Sequence, residues 1–247
     1  MSATADNSFA IVARVELTPA LTNEMFQLLA SHFDGVTRAR FTRDLAEKNW
    51  VVVVRRDTRL VGFSTLLAYE SSFDGEPVSV VYSGDTIVAP EAWGTTALAR
   101  GWITAVNQLR ERYSRGKYYW LLLTSGFRTY RFLPVFWREF FPRHHAATPA
   151  DIKRFRDQLA AERFGEQYDS RSGIVRFPHP QRLRGELKVV PAGRIADPHV
   201  AFFVTRNPGH ARGDELVCLT ELCPENLTAA GRRMTNPQLC GAYSDHC

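Results

Sequence analysis

Residues 87–100 read IVAPEAWGTTALAR. Two branched apolar residues give way to Pro90-Glu91, then Trp93-Gly94-Thr95-Thr96, and a run of helix formers follows. The stretch reads as a strand end joined to a helix start through one short elbow. Downstream of it, Leu98, Trp102, Val106, Leu109 and Tyr113 recur at helical spacing while Arg100, Arg110 and Arg112 fall largely elsewhere. That spacing predicts an amphipathic helix of about five turns lying against a sheet. Upstream, Trp50–Val54 and Leu60–Tyr69 flank Asp57-Thr58-Arg59 as a hairpin, and Val78–Val88 follows the turn Phe73-Asp74-Gly75 as a third antiparallel partner.

The outer elements follow from the same patterns. Phe9–Leu17 alternates as a first strand, and Thr18-Pro19 opens a helix with Leu21, Met25, Leu28, Leu29 and Phe33 along one stripe. A second helix is expected over Arg38–Lys48, with Phe41 and Leu45 turned inward. Tyr118–Leu123 reads as a buried strand, and Tyr130–Phe141 as an aromatic helix that Pro134 either kinks or opens. Strand, two helices, three antiparallel strands, helix, strand, helix is the order of a mixed α/β (α+β) sheet. Residues 143–198 read as an insertion. It holds a helix opened by Thr148-Pro149 and carrying Ile152, Phe155 and Leu159, then a Pro- and Arg-rich stretch with Arg176, Arg182, Arg184, Lys188 and Arg194. Val200–Thr205 and Leu216–Leu219, about Asn207-Pro208-Gly209, are expected as a late hairpin. Residues 1–221 thus form one expected domain, and 222–247 a polar tail.

With 247 residues, 45% of them hydrophobic, the chain can bury a core, and 23% charged residues is too few for intrinsic disorder. Its longest apolar runs are far shorter than a bilayer requires, and Asp6, Arg14 and Glu16 interrupt the start, so a soluble, unexported, cytoplasmic protein is expected. The net charge of +5 favours polyanions or phosphorylated ligands, or is simply a solvated basic surface. All four cysteines, Cys218, Cys223, Cys240 and Cys247, lie at the end of the chain. Free thiols are expected there; a metal site with His246 is the alternative.

The element order, with Val88-Ala89-Pro90-Glu91-Ala92-Trp93-Gly94-Thr95-Thr96-Ala97-Leu98 at its centre, resembles the GCN5-related N-acetyltransferase (GNAT) superfamily over roughly residues 9–142. Two positions depart from the family pattern: Trp93 stands at its Arg or Gln position, and its second glycine is lost to threonine or alanine. The resemblance implies an N-acyltransferase that moves an acyl group from acetyl-CoA or another acyl-CoA to an amine of a small molecule, with no metal. A helix start leaves amides unpaired, so Trp93, Gly94, Thr95 and Thr96 are the expected diphosphate site. The resemblance further implies that the strand ending at Val88 splays from its neighbour and receives the pantetheine arm. An amide near Ile87 or Val88 would then polarise the thioester carbonyl.

Three side chains are candidates for the proton steps. Tyr82 falls where some relatives carry a glutamate, so Asp85 is the candidate base, its pKa raised by burial; a side chain bonding its own backbone at a glycine bulge is the plainer reading. Trp137 falls where the family's proton-donating tyrosine stands, so Tyr130 is the candidate acid, unless the thiolate leaves unaided.

Two other readings remain open. The donor arm comes on an acyl carrier protein met by Arg110, Arg112 and Arg115, or the chain is a non-catalytic relative binding a ligand or RNA. Phe127-Arg128-Thr129-Tyr130-Arg131-Phe132 is either a base-stacking surface or a core stripe with arginines at its rim. His144-His145 is either an acceptor-side pair or solvent-exposed. Phe136, Trp137, Phe140 and Phe141 line a pocket or pack the core.

Overall fold

Alternating branched residues commit the middle of the chain to strands before any tertiary contact is considered. The computed structural model describes residues 7–235. In chain order the elements are β1 (Asn7–Ala13), α1 (Pro19–His32), β2 (Phe33–Asp34), α2 (Arg38–Ala46), β3 (Trp50–Arg56), β4 (Arg59–Phe73), β5 (Glu76–Val88) and α3 (Ala97–Arg112). There follow β6 (Lys117–Thr124), α4 (Phe127–Tyr130), α5 (Phe132–Phe136), α6 (Ala150–Phe164), β7 (Tyr168–Asp169), β8 (Ile174–Val175), β9 (Arg182–Leu183), α7 (Pro198–Arg206), β10 (Glu215–Glu221) and α8 (Ala229–Thr235).

Eight strands make one sheet in the order β1-β3-β4-β5-β6-β10-β8-β7, while β2 and β9 pair separately. Within the large sheet only β5 and β6 are parallel neighbours. The β4–β5 turn is Asp74-Gly75, both with positive φ (50° and 83°), the turn whose twist matches that of the flanking strands. Thr18 and Thr37 cap α1 and α2 by accepting from the Leu21 and Arg40 amides. Met25, Leu29 and Phe41 of these helices pack on Val51, Val53, Phe63 and Ile87. Phe155 and Leu159 of α6 cover Val80, Leu121 and Val217, and an Arg163–Glu47 ion pair at 2.8 Å ties α6 to the end of α2. The opposite face belongs to α3, α4, α5, α7 and α8, with Trp102, Trp120 and Trp137 in mutual contact at its centre.

Four sequence expectations are corrected. Val200–Thr205 is helical: Asp197 accepts from the His199 amide at 2.9 Å, Pro198 opens the first turn, and Val200 and Phe203 share the buried side. A cap outweighs β-branching there, so no late hairpin forms. β10 instead pairs with β6 and with β8, so the inserted segment itself extends the sheet. The aromatic helix breaks after Phe136, because Trp137 turns to extended backbone and Phe141 bridges Leu219. Pro134 sits in the first turn of α5, where its missing N–H costs nothing. Finally, the first strand stops at Ala13 and α2 at Ala46, both short of the expected ends.

The start of the tail is ordered, with Met234 of α8 in the core. Cys218 is buried and Cys223 half-buried, and both are free thiols; Cys240, His246 and Cys247 lie outside the described residues. Among the described residues no helix is long and apolar enough to cross a membrane.

Gly116, in the turn between α3 and β6, holds φ at +54°, and a Cβ there would lie 1.7 Å from the Pro77 carbonyl oxygen. This contact sets the closed end of the β5–β6 pair. Gly116→Ala is therefore expected to destabilise the fold by about 1–3 kcal/mol. Equilibrium denaturation should show a lower midpoint at unchanged slope.

Candidate active site

β5 and β6 stay in register from Val78↔Lys117 to Ser83↔Leu122, and there the ladder stops. Both strands continue, β5 to Val88 and β6 to Thr124, so the sheet forks. One cause is visible in β4, where the single residue Thr65 lies opposite Gly84-Asp85. The extra residue bends β5 and turns Asp85 toward the α2 side of the sheet. Space at the bend is tight: a Cβ on Gly84 would meet Lys48 Cε at 2.5 Å and Thr65 Oγ1 at 2.6 Å, so those side chains would have to shift. The fork opens into a cavity of about 870 Å³, with Tyr82–Val88 along one wall and Leu122–Phe127 along the other. The inserted segment adds Phe177, Gln181, Leu183 and Leu187 to the walls without filling it.

The elbow borders this cavity. Pro90–Ala92 is a single 3-10 turn, fixed by an Arg59–Glu91 ion pair at 3.0 Å and by Arg56 donating to the Glu91 carbonyl. The Thr95 amide and hydroxyl both donate to the Ala92 carbonyl, so Thr95 lines the cavity with its amide already engaged. The first helical bond is Arg100 N–H to the Thr96 carbonyl, which leaves the amides from Thr96 to Ala99 without a backbone acceptor. Of the amides expected to be free, that of Thr95 is thus engaged, while that of Gly94 has no backbone acceptor but lies outside the cavity lining. Gly94 itself faces open space; a Cβ there would meet nothing within 4 Å. Trp93, 42% exposed, bends back so that Nε1 donates to the Val88 carbonyl at 2.8 Å. Arg128 stacks on the Trp93 ring at 4.1 Å. Burial, then the charge of Arg194, holds the Arg128 guanidinium below its ordinary range. Neither arginine has a carboxylate within 4.0 Å among the described residues, whereas Arg131 beside them pairs with Asp197 at 2.9 Å.

On the α2 side the cavity carries two carboxylates, Asp85 on β5 and Glu215 at the start of β10. Burial raises Asp85 from 3.8 to about 6 against the opposing charge of Lys48, and burial followed by the charge of Asp85 raises Glu215 from 4.5 to about 8. Lys48 donates to the Asp44 carbonyl, and burial, then Arg163, pushes its ammonium down. Tyr82 is buried beneath Arg163, 4.2 Å from its ring, and stays a neutral phenol because burial raises it. Asp85, Tyr82, Ile87, Val88, Trp93, Thr95 and Thr96 all line one cavity, while Gly94 stands outside its lining.

Tyr130 does not join them. It is fully buried, its hydroxyl donates to the Pro142 carbonyl at 2.9 Å, and its ring lies against Phe140, Phe202 and Phe203. Trp137 is likewise core. His144 and His145 gather with His199 away from the cavity, with His144 and His199 rings 4.5 Å apart. Among the described residues no cluster of His, Cys, Asp or Glu has the arrangement of a metal site. Sequence reasoning missed Glu215, Lys48 and Arg163. Glu215 left a trace, as the acidic residue opening the otherwise apolar run LVCL.

Residues 15–130 match the family model described as acetyltransferase (GNAT) domain. No curated protein matches the chain in sequence. Among solved structures, an aminoglycoside acetyltransferase from an uncultured soil metagenomic sample is similar at 18% identity, covering 46% of this chain and 76% of its own, with a TM-score of 0.34. A ribosomal-protein-alanine N-acetyltransferase from Brucella melitensis biovar Abortus gives 18%, 46%, 78% and 0.33 in the same order. A probable N-acyltransferase from Enterococcus faecalis gives 12%, 89%, 67% and 0.42. Likenesses this distant concern chain outline alone.

The two carboxylates oppose folding when ionised. Their folded-state pKa values lie above the unfolded ones, so the penalty is absent below about pH 4 and grows as pH rises through about 6 and about 8. Asp85→Asn and Glu215→Gln are expected to raise the thermal midpoint at pH 9 and leave it unchanged at pH 4. Tyr130→Phe should lower stability by about 1 kcal/mol, measured by denaturation, through loss of its buried hydrogen bond.

Proposed function

We propose that this chain, an acyltransferase and a divergent member of the GCN5-related N-acetyltransferase superfamily, moves an acyl group from a coenzyme A-type pantetheine thioester to an amine of a small molecule by direct attack. The observation that carries the reading is the fork between β5 and β6, closed by a ladder at Ser83 and open beyond it.

An extended pantetheine arm supplies what the fork lacks, a strand's worth of donors and acceptors along the free edge of Gly84–Val88. At the elbow end, the amides from Thr96 to Ala99 and the unpaired Arg128 and Arg194 suit a diphosphate. Arg128, stacked over Trp93, brings back the positive charge that tryptophan removes from the family's usual position. The Ile87 or Val88 amide is the donor for the carbonyl oxygen as charge develops on it. Asp85 takes the proton that the nitrogen of the attacking amine sheds as it becomes an amide: its pKa of about 6 keeps it ionised at neutral pH yet basic enough to act. Tyr82 and the inserted Phe177 and Leu183 form the acceptor wall.

A second reading, an acyl carrier protein as donor, is favoured by Trp93 at the diphosphate position. Its docking residues would be Arg128, Arg131 and Arg194 at the cavity mouth. Arg110, Arg112 and Arg115 stand at the far end of α3, about 24 Å from its start at the helical rise. They are occupied there by the Gly116 carbonyl, the Trp50 ring and Glu70.

Calorimetry with coenzyme A should show binding, and Arg128→Gln should weaken it about tenfold or more. Thiol release over an amine panel should rise with pH through about 6 as Asp85 ionises. Asp85→Asn should cut kcat by about 10²-fold or more and remove that acidic limb. Absence of both binding heat with coenzyme A and thiol release with every amine would overturn the reading; salt-sensitive binding of an acylated carrier protein alone would turn it to the second donor.

A further inference from the structure

The proton that the departing thiolate must take up has no obvious source. Tyr130 and Trp137 are locked in the core, and Tyr82 holds its proton too firmly to give it up. The opposite wall of the fork offers another group. Glu215 leads β10, whose next residue Leu216 pairs with Thr124 at the free end of β6, and Thr124, Ser125 and Glu215 line the same cavity as Asp85. Resting on the acyltransferase reading, we propose that Glu215 is the acid that protonates the leaving sulfur, so that Asp85 and Glu215 work as a two-carboxylate relay across the fork.

The charges around the pair leave it free for this. From α2, Arg40 and Asp44 lie 3.5 Å apart, and Lys48 donates to the Asp44 carbonyl. From α6, Arg163 pairs with Glu47. Tyr82 of β5 is neutral, and Gln181 of the inserted segment lines the same cavity. Neither Asp85 nor Glu215 has an ion-pair partner within 4.0 Å among the described residues. Two carboxylates in one cavity hold a single negative charge near neutrality, with the charge on Asp85 and the proton on Glu215. A carboxyl that titrates near 8 is close in acidity to a free thiol, so the transfer runs nearly downhill-free in either direction.

The step balances. The free amine attacks, forming the C–N bond and breaking the C–S bond; the one proton that the nitrogen sheds on becoming an amide goes to Asp85, and the Glu215 proton goes to sulfur. The pair then holds one proton again, on Asp85, and its return to Glu215 through water resets the site.

The test is the pH profile of thiol release by wild type, Glu215→Gln and Glu215→Asp. Wild type should lose kcat as pH rises through about 8. Glu215→Gln should lower kcat about 10²-fold and abolish that basic limb, with coenzyme A affinity by calorimetry unchanged; Glu215→Asp should keep the limb. Because Glu215→Gln relieves a buried charge, lost activity in a variant at least as stable as wild type is not misfolding. A variant that keeps wild-type kcat and its basic limb, or that raises only the KM for the amine, overturns the relay and leaves the acyltransferase reading intact. Wild type without thiol release or coenzyme A binding would overturn both.

Discussion

A backbone amide or carbonyl cannot be left dry, and the fork puts this constraint at the centre of the molecule. Up to Ser83, β5 meets β6 group for group; past it, the same strand turns its edge to a cavity. Such an edge must be satisfied by water or by a ligand that behaves like a strand. The bulge at Gly84-Asp85, the two-residue turn at Asp74-Gly75 and the contact between Gly116 and Pro77 all fix where pairing ends. The fork is built from the paired end, and its opening is a consequence of where the ladder is allowed to stop.

The bulge that makes the opening also sets its chemistry. By inserting one residue it turns Asp85 onto the side of the sheet that already carries Tyr82, where burial from α2 and the inserted segment raises its pKa. Glu215 arrives on that side by a different route, as the first residue of a strand whose next five positions, Leu216 to Thr220, are buried. Both groups oppose folding when charged, because burial raises their pKa values above those of the unfolded chain.

How much of this was legible follows from the range of the interactions. Strands β3 to β6 and helices α1 to α3 are set by periodicity, caps and turn residues within a few positions, and the sequence pattern located them. The helix over Pro198–Arg206 was misread because its β-branched residues look like a strand until the Asp197 cap is weighed. The break at Trp137 depends on the bridges Trp137↔Leu227 and Phe141↔Leu219, whose partners lie far along the chain and which no local pattern contains. The same divide runs through the site. Asp85, Tyr82 and the elbow sit on one strand and its exit, so they could be named from the chain, whereas Glu215, Lys48 and Arg163 come from three separate elements.

Trp93 shows why a departure from a motif need not mean loss of the site. Read along the chain, an indole at a position for Arg or Gln removes a cation from the elbow. In three dimensions the indole spends its N–H on the Val88 carbonyl, pinning the end of β5, and offers its face to Arg128. A guanidinium stacked on a ring is held flat with its edge donors free, the geometry that bidentate binding of phosphate oxygens needs. Arg194, close enough to depress Arg128, adds a second charge that no carboxylate within 4.0 Å among the described residues offsets. Two cations, Arg128 of α4 and Arg194 of the inserted segment, thus stand by an elbow whose own turn carries an indole. The same insertion extends the sheet through β8 and β7 and contributes to the cavity wall.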